Sequence, residues 1–250
     1  MNLWVFDLDG TLITSGIDYA RAVFHWELMF INRMEHRAPH YDKFVPDFLG
    51  LLRESEKELF KTMRAHRKRF PTSMVEAYRG LCRNFGMSVD PEIERETWEI
   101  GVSALSEETY RNRGMLPGAE EALAFLQERG DLIYCVTAGD PVVQWMKWRG
   151  YNLRRFFPSQ REYRVIWWDK LRTLKKLRKL HRDKAAIMVG DSIGSDLIPA
   201  AKAGYLPIYI PHPSVWDHGE LEKEPPPGSR RFLQITQIVS EYQSLIRPTG

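Results

Sequence analysis

The chain has 250 residues, of which 43% are hydrophobic, 28% charged and 12% aromatic, a globular composition that excludes disorder. Lysine and arginine together number 36 against 33 aspartates and glutamates, a net charge of +3, too even for a dedicated nucleic-acid binder. Two cysteines, Cys82 and Cys135, are too few for a disulfide-stapled secreted domain. No apolar run approaches the roughly 20 residues that span a bilayer, and Met1 to Asp7 contains no basic segment leading into a long apolar core. These features predict a cytoplasmic protein that works neither on a membrane nor on nucleic acid; oligomeric state is not legible.

Residues Asn2 to Leu8 form an apolar and aromatic run stopped by Asp9-Gly10, which reads as a buried strand ended by a turn. From Thr14 to Arg113 helical patterns dominate. Ile17, Ala20, Phe24, Leu28 and Ile31 fit one apolar stripe, and Met74, Ala77, Tyr78, Leu81 and Phe85 fit another. This stretch holds 16 basic and 16 acidic side chains, as a solvated helical bundle would. Pro117 to Arg129 repeats Ala119, Ala122, Leu123 and Leu126 at helical spacing. Leu132 to Thr137 reads as a second strand, followed by a helix from Pro141 to Arg149 with Asp140 as its N-cap. Tyr163 to Trp168 is a weaker strand, and Asp169 opens a helix whose Leu171, Leu174, Leu177 and Leu180 share a face. Ala185 to Val189 and Tyr205 to Ile210 complete the strands, and a final helix spans Leu233 to Ile246 after the loop at Pro225-Pro226-Pro227-Gly228.

Strand alternating with helix predicts an α/β fold, a parallel sheet with helices on both faces. The expected domains are an α/β core over 1–13 and 114–250, interrupted by an all-helical insertion over 14–113.

Asp7 and Asp9 occupy alternate positions at the carboxyl end of the first strand, so both can point the same way. Ligands of open α/β sheets bind at that end. The bland reading is an ordinary Asp-Gly turn. A helix-loop-helix calcium site is disfavoured, because Leu12 and Asp18 stand where its glycine and last glutamate belong. The strand before Gly190 ends in Asp191, and Asp196 follows five residues later. If that strand neighbours the first, Asp191 joins Asp7 around one hard divalent cation, and oxygen-only ligands select magnesium.

Four segments, Asp7-Leu8-Asp9-Gly10-Thr11-Leu12, Thr137 at the end of the second strand, a lysine before the fourth strand, and Gly190-Asp191-Ser192 with Asp196, fall in the order of the haloacid dehalogenase-like superfamily. The chain resembles its phosphatase branch, with a Rossmann-like core and a helical cap. The resemblance implies that Asp7 is a nucleophile forming an aspartyl-phosphate. It also implies that Asp9 protonates the leaving oxygen and later deprotonates water. That double duty calls for a raised proton affinity at Asp9, which nearby carboxylates and partial burial would supply. Mg2+ would be held by Asp7, the Asp9 carbonyl, Asp191 and Asp196. Thr137, Ala138 and Lys170 would bind the substrate phosphate of a small phosphorylated metabolite. Thr137 equally suits an ordinary strand end. Lys170 opens its helix 21 residues before Asp191, whereas its competitors Lys175 and Lys176 share a polar face with Arg172 and Lys179. Asp9 favours phosphoryl transfer over dehalogenation, whose enzymes need no acid two residues after the nucleophile. A phosphomutase, and a non-catalytic scaffold for a phosphorylated ligand or a protein, are the alternatives.

Other features read as structural. His36 and His40 have helical metal-pair spacing, but Pro39 lies between them and no second cluster completes a site. His212 and His218, flanking Trp216, read as incidental loop histidines. The basic runs Lys61 to Arg69 and 151–185 read as solvated helix faces, with attraction of a phosphorylated substrate or an acidic partner as the alternative. Trp145, Trp148, Trp167 and Trp168 read as packing residues.

Overall fold

The computed structural model describes residues 1–14, 16–34, 41–111, 113–212 and 224–246. His36, His40, Trp216 and His218 lie outside them. The chain divides into two compact units, Met1–Gly16 with Tyr110–Gly250, and Ile17–Thr109.

The first unit contains β1 (Leu3–Phe6), α5 (Glu107–Arg111, at its border), α6 (Ala119–Glu128), β2 (Leu132–Ala138), α7 (Pro141–Gly150), β3 (Tyr163–Ile166), α8 (Lys170–Leu180), β4 (Ala186–Gly190), α9 (Ile198–Lys202), β5 (Leu206–Tyr209), β6 (Arg230–Arg231) and α10 (Gln237–Ile246). The six strands form one parallel sheet in the order β3-β2-β1-β4-β5-β6. Central β1 is buried on both faces, which is why Leu3-Trp4-Val5-Phe6 is apolar without alternation. Trp4 and Phe6 pack with Ala122, Leu126 and Ile238 of α6 and α10. Leu3 and Val5 point the other way, onto Leu174 and Leu177 of α8 and Ala200 of α9. The α/β class with helices on both faces is therefore what the chain adopts.

Element ends differ from the sequence reading. β1, β3 and β5 are shorter than their apolar runs, β2 extends one residue further, β4 is shifted by one residue, and α10 starts at Gln237, leaving Leu233 exposed. Short β6 lacks any apolar signal. In α8, Leu174 and Leu177 are buried but Leu180, the last residue of the helix, is exposed. Trp145 and Trp148 pack as expected, around Tyr163. Trp167 and Trp168 do not: they lie past the end of β3 and are 55% and 52% exposed.

The second unit holds α1 (Gly16–Met34), which begins at the boundary, with α2 (Tyr41–Met63), α3 (Arg69–Asn84) and α4 (Pro91–Ser103). The α3 stripe of Met74, Ala77, Tyr78 and Leu81 is buried as expected. The α1 stripe is not, since Ile17, Phe24, Leu28 and Ile31 are exposed. The buried face instead carries Ala22, Val23, Trp26, Met29 and Phe30. Two apolar stripes fit the helical period here. The one that contains Trp26 prevails, because its ring stacks on Phe48 and its Nε1 donates to Thr97 Oγ1 at 2.8 Å. Of the basic run Lys61 to Arg69, Arg69 is half-buried and pairs with Glu56 at 3.0 Å; Lys61, Arg64, Arg67 and Lys68 are exposed.

Candidate active site

The site is built at the carboxyl ends of β1, β2 and β4. Phe6 pairs with Cys135 on one side and Val189 on the other, and the Asp7 N–H continues the ladder by donating to the Val189 carbonyl at 2.9 Å. This register sets Asp7 beside Gly190 and brings Asp191 to the same end. After β4 the chain makes a wide helical turn, Ile193–Leu197, a form common at functional sites. Ser192 caps it, and the Ser192 N–H donates to Asp196 Oδ2 at 3.1 Å, turning Asp196 back toward β1.

Two glycines make the approach of these acids possible. Gly10 has φ +80°, and a side chain there would run into the Asp191 carboxylate; one at Gly190 would strike Asp196. Asp7, Asp191 and Asp196 accordingly each present an oxygen within 4.8 Å of the others.

Lys170, the first residue of α8 after the Asp169 cap, reaches into this cluster. Its Nζ donates to Asp7 Oδ1 and, at 2.5 Å, to Asp196 Oδ1. Lys175 and Lys176 are exposed, as the polar-face reading holds. Burial works against the Lys170 ammonium, but the charges of Asp196 and Asp7 outweigh it and hold its proton more tightly than usual. One ammonium does not neutralise three carboxylates. Burial pushes the Asp7 carboxyl up to about 7, with Lys170 opposing and Asp196 and Asp9 adding to the rise. Asp191 is raised well above its ordinary value, first by burial and then by Asp7 and Asp196. No hydrogen bond or ion pair from a described residue reaches the Asp191 carboxylate. A half-buried acid that no described residue bonds, next to two more sharing one lysine, fits a hard cation bound through oxygen.

Thr137 is buried near the end of β2, two residues past the partner of Phe6, and Ala138 closes that strand. His212 is half-buried just beyond β5, where burial pushes its imidazole down.

Asp9 has carboxylate neighbours, as expected: its charge is felt by Asp7 and Asp191. It also meets a cation that the sequence reading does not foresee, since Lys147 of α7 donates to Asp9 Oδ1 at 2.7 Å and Oδ2 at 2.8 Å. Gln144 Nε2 lies 3.3 Å from Oδ2. Sequence reasoning missed both. The signal was a lysine on the buried stripe of a helix, at Val143, Lys147 and Gly150 spacing.

A family model for haloacid dehalogenase-like hydrolases matches residues 1–204. The chain belongs to that family. No curated protein matches the sequence significantly. Among solved structures, a haloacid dehalogenase-like family hydrolase from Xanthomonas campestris is 20% identical, with a TM-score of 0.68 over 98% of this chain and 92% of that one. A predicted phosphoglycolate phosphatase from Haemophilus somnus is 16% identical, with a TM-score of 0.60 over 97% and 98%. A defluorinating L-2-haloacid dehalogenase is 12% identical, with a TM-score of 0.53 over 97% and 95%. At these identities the likeness shows the fold. The hydrolase family holds a metal-compatible acidic cluster in this chain, and among the described residues no helix is long and apolar enough to cross a membrane.

Proposed function

We propose that this hydrolase is a Mg2+-dependent phosphatase that acts on a small phosphorylated metabolite through an aspartyl-phosphate. The observation that carries the reading is the cluster of Asp7, Asp191 and Asp196 around Lys170, with a further acid, Asp9, two residues beyond Asp7. A haloacid is a monoanion whose displacement needs one carboxylate, and three clustered acids would repel it. A phosphate ester brings more negative charge and needs a cation to meet it.

Asp7, Asp191, Asp196 and the Asp9 carbonyl are the residues that would hold the ion. When bound, Mg2+ supplies charge neutralisation at the phosphoryl oxygens. Asp7 attacks phosphorus through a carboxylate oxygen, the ester P–O bond breaks, and its electron pair leaves on the substrate oxygen, which takes a proton from Asp9. Asp9 then receives a proton from water as the water oxygen bonds to phosphorus, and the electron pair of the acyl-phosphate P–O bond returns to Asp7. Lys170 and Thr137 bind the phosphoryl oxygens.

The test compares p-nitrophenyl phosphate with 2-chloropropionate, each with Mg2+ and with EDTA. Phosphate release that needs Mg2+ and is lost in Asp7→Asn is expected. Chloride release without phosphate release would overturn the reading in favour of dehalogenation.

A further inference from the structure

Lys147 is a buried ammonium that the reaction as described does not use. It is 4% exposed, lies on α7, and bonds both carboxylate oxygens of Asp9, whose own side chain remains 29% exposed. Burying a lysine costs several kcal/mol before pairing, so such a pair is weak evidence for stability and calls for another account. Its placement supplies one. α7 starts immediately after β2, fixed by Pro141 and by the Asp140 cap, which accepts from the Val142 N–H at 2.9 Å. One face of that helix then delivers Gln144 and, three residues on, Lys147. The Gln144 amide nitrogen lies between Asp9 Oδ2 and the Ala138 carbonyl, at 3.3 and 3.4 Å. It packs so closely under Gly139 that any side chain there would collide with it.

We propose that Lys147, supported by Gln144, is a positioning residue that fixes the orientation of the Asp9 carboxylate for proton transfer to and from the substrate oxygen. The inference rests on the phosphatase reading and deepens it. Asp9 stands past the end of β1, next to a glycine at φ +80°, where a half-exposed carboxylate turns freely unless something holds it. Two bonds from one helix hold it, and the Tyr110 ring centroid lies 6.0 Å from the ammonium. Proton transfer needs heavy atoms at about 2.6–3.2 Å, and small misplacements cost large factors in rate.

A role exerted through Asp9 has a signature that loss of folding does not share. The departing p-nitrophenolate needs little protonation, whereas phenolate from phenyl phosphate needs more. Lys147→Met is expected to lower kcat/KM for phenyl phosphate by about tenfold or more and for p-nitrophenyl phosphate by no more than about threefold. Lys147→Arg should recover part of the phenyl phosphate activity. Asp9→Asn combined with Lys147→Met should be no slower than Asp9→Asn alone. Equal losses on both esters, or additive losses in the double variant, would overturn the positioning role while leaving the phosphatase reading intact. Failure of the unaltered protein to hydrolyse either ester would instead overturn that reading, and the inference with it.

Discussion

The Lys170 ammonium donates to Asp196 Oδ1 at 2.5 Å while also bonding Asp7, so one cation ties the acid that follows β4 to the acid that follows β1. Lys170 is 3% exposed and Asp196 1%. Removing a partner from a buried pair of this kind leaves charge with neither water nor a counterion. In metal-free protein at neutral pH, Lys170→Met should therefore cost about 3–5 kcal/mol of unfolding free energy, read from urea titration. With Mg2+ present, kcat should fall by about 10²-fold or more, as loss of one electrostatic contact to the reacting group does elsewhere.

The raised Asp7 carboxyl makes stability depend on pH in a defined direction. Its ordinary value is 3.8, and burial lifts it to about 7 in the fold. Between these values the folded chain keeps a proton that the unfolded chain has released, so this group's favourable contribution is complete below about 4 and is lost as pH rises to about 7. The raised Asp191 acts with the same sign. Divalent metal competes with those protons. The rise in melting temperature on replacing EDTA with Mg2+ should accordingly be larger at pH 8 than at pH 5. An equal or larger rise at pH 5 would contradict this assignment.

Gly10 is a steric determinant of the same cluster. Gly10→Ala places a side chain against the Asp191 carboxylate in a backbone conformation, φ +80°, that alanine disfavours. A loss of about 1 kcal/mol or more in stability is expected. Mg2+-induced thermal stabilisation should shrink with it, because Asp191 must move. Undiminished stabilisation by Mg2+ would show that the close approach is not needed.

The two faces of α1 give a control within the helical unit. Trp26→Ala removes a fully buried ring stacked on Phe48 and should cost about 3–5 kcal/mol. Phe24→Ser, on the 65% exposed face, should change stability by no more than about 0.5 kcal/mol. Paired denaturation curves check both.

Much of this was legible in the sequence, for physical reasons that also explain the gaps. β1 and β4 announce themselves because parallel strands buried on both faces are apolar throughout, and Asp7 and Asp191 stand out as acids at their ends. The N-caps Asp140 and Asp169 were readable because capping is local chemistry, visible within two residues. The buried face of α1 was not, since two apolar stripes satisfy one periodicity and only packing against α2 and α4 distinguishes them. Lys147 was not recognised either. Its partner Asp9 is 138 residues away, and a lysine on a helix reads as solvent-facing until the fold supplies a carboxylate. Gly10 and Gly190 read as turn residues, whereas their function is to leave room for Asp191 and Asp196.

The proposed reaction requires Asp7 to become covalently phosphorylated. Rapid acid quench of the protein with Mg2+ and 32P-labelled p-nitrophenyl phosphate, followed by peptide mapping, tests it directly. Transient label is expected on the peptide that contains Asp7, and none in Asp7→Asn. Phosphate release without protein-bound label, or label on a different residue, would contradict it.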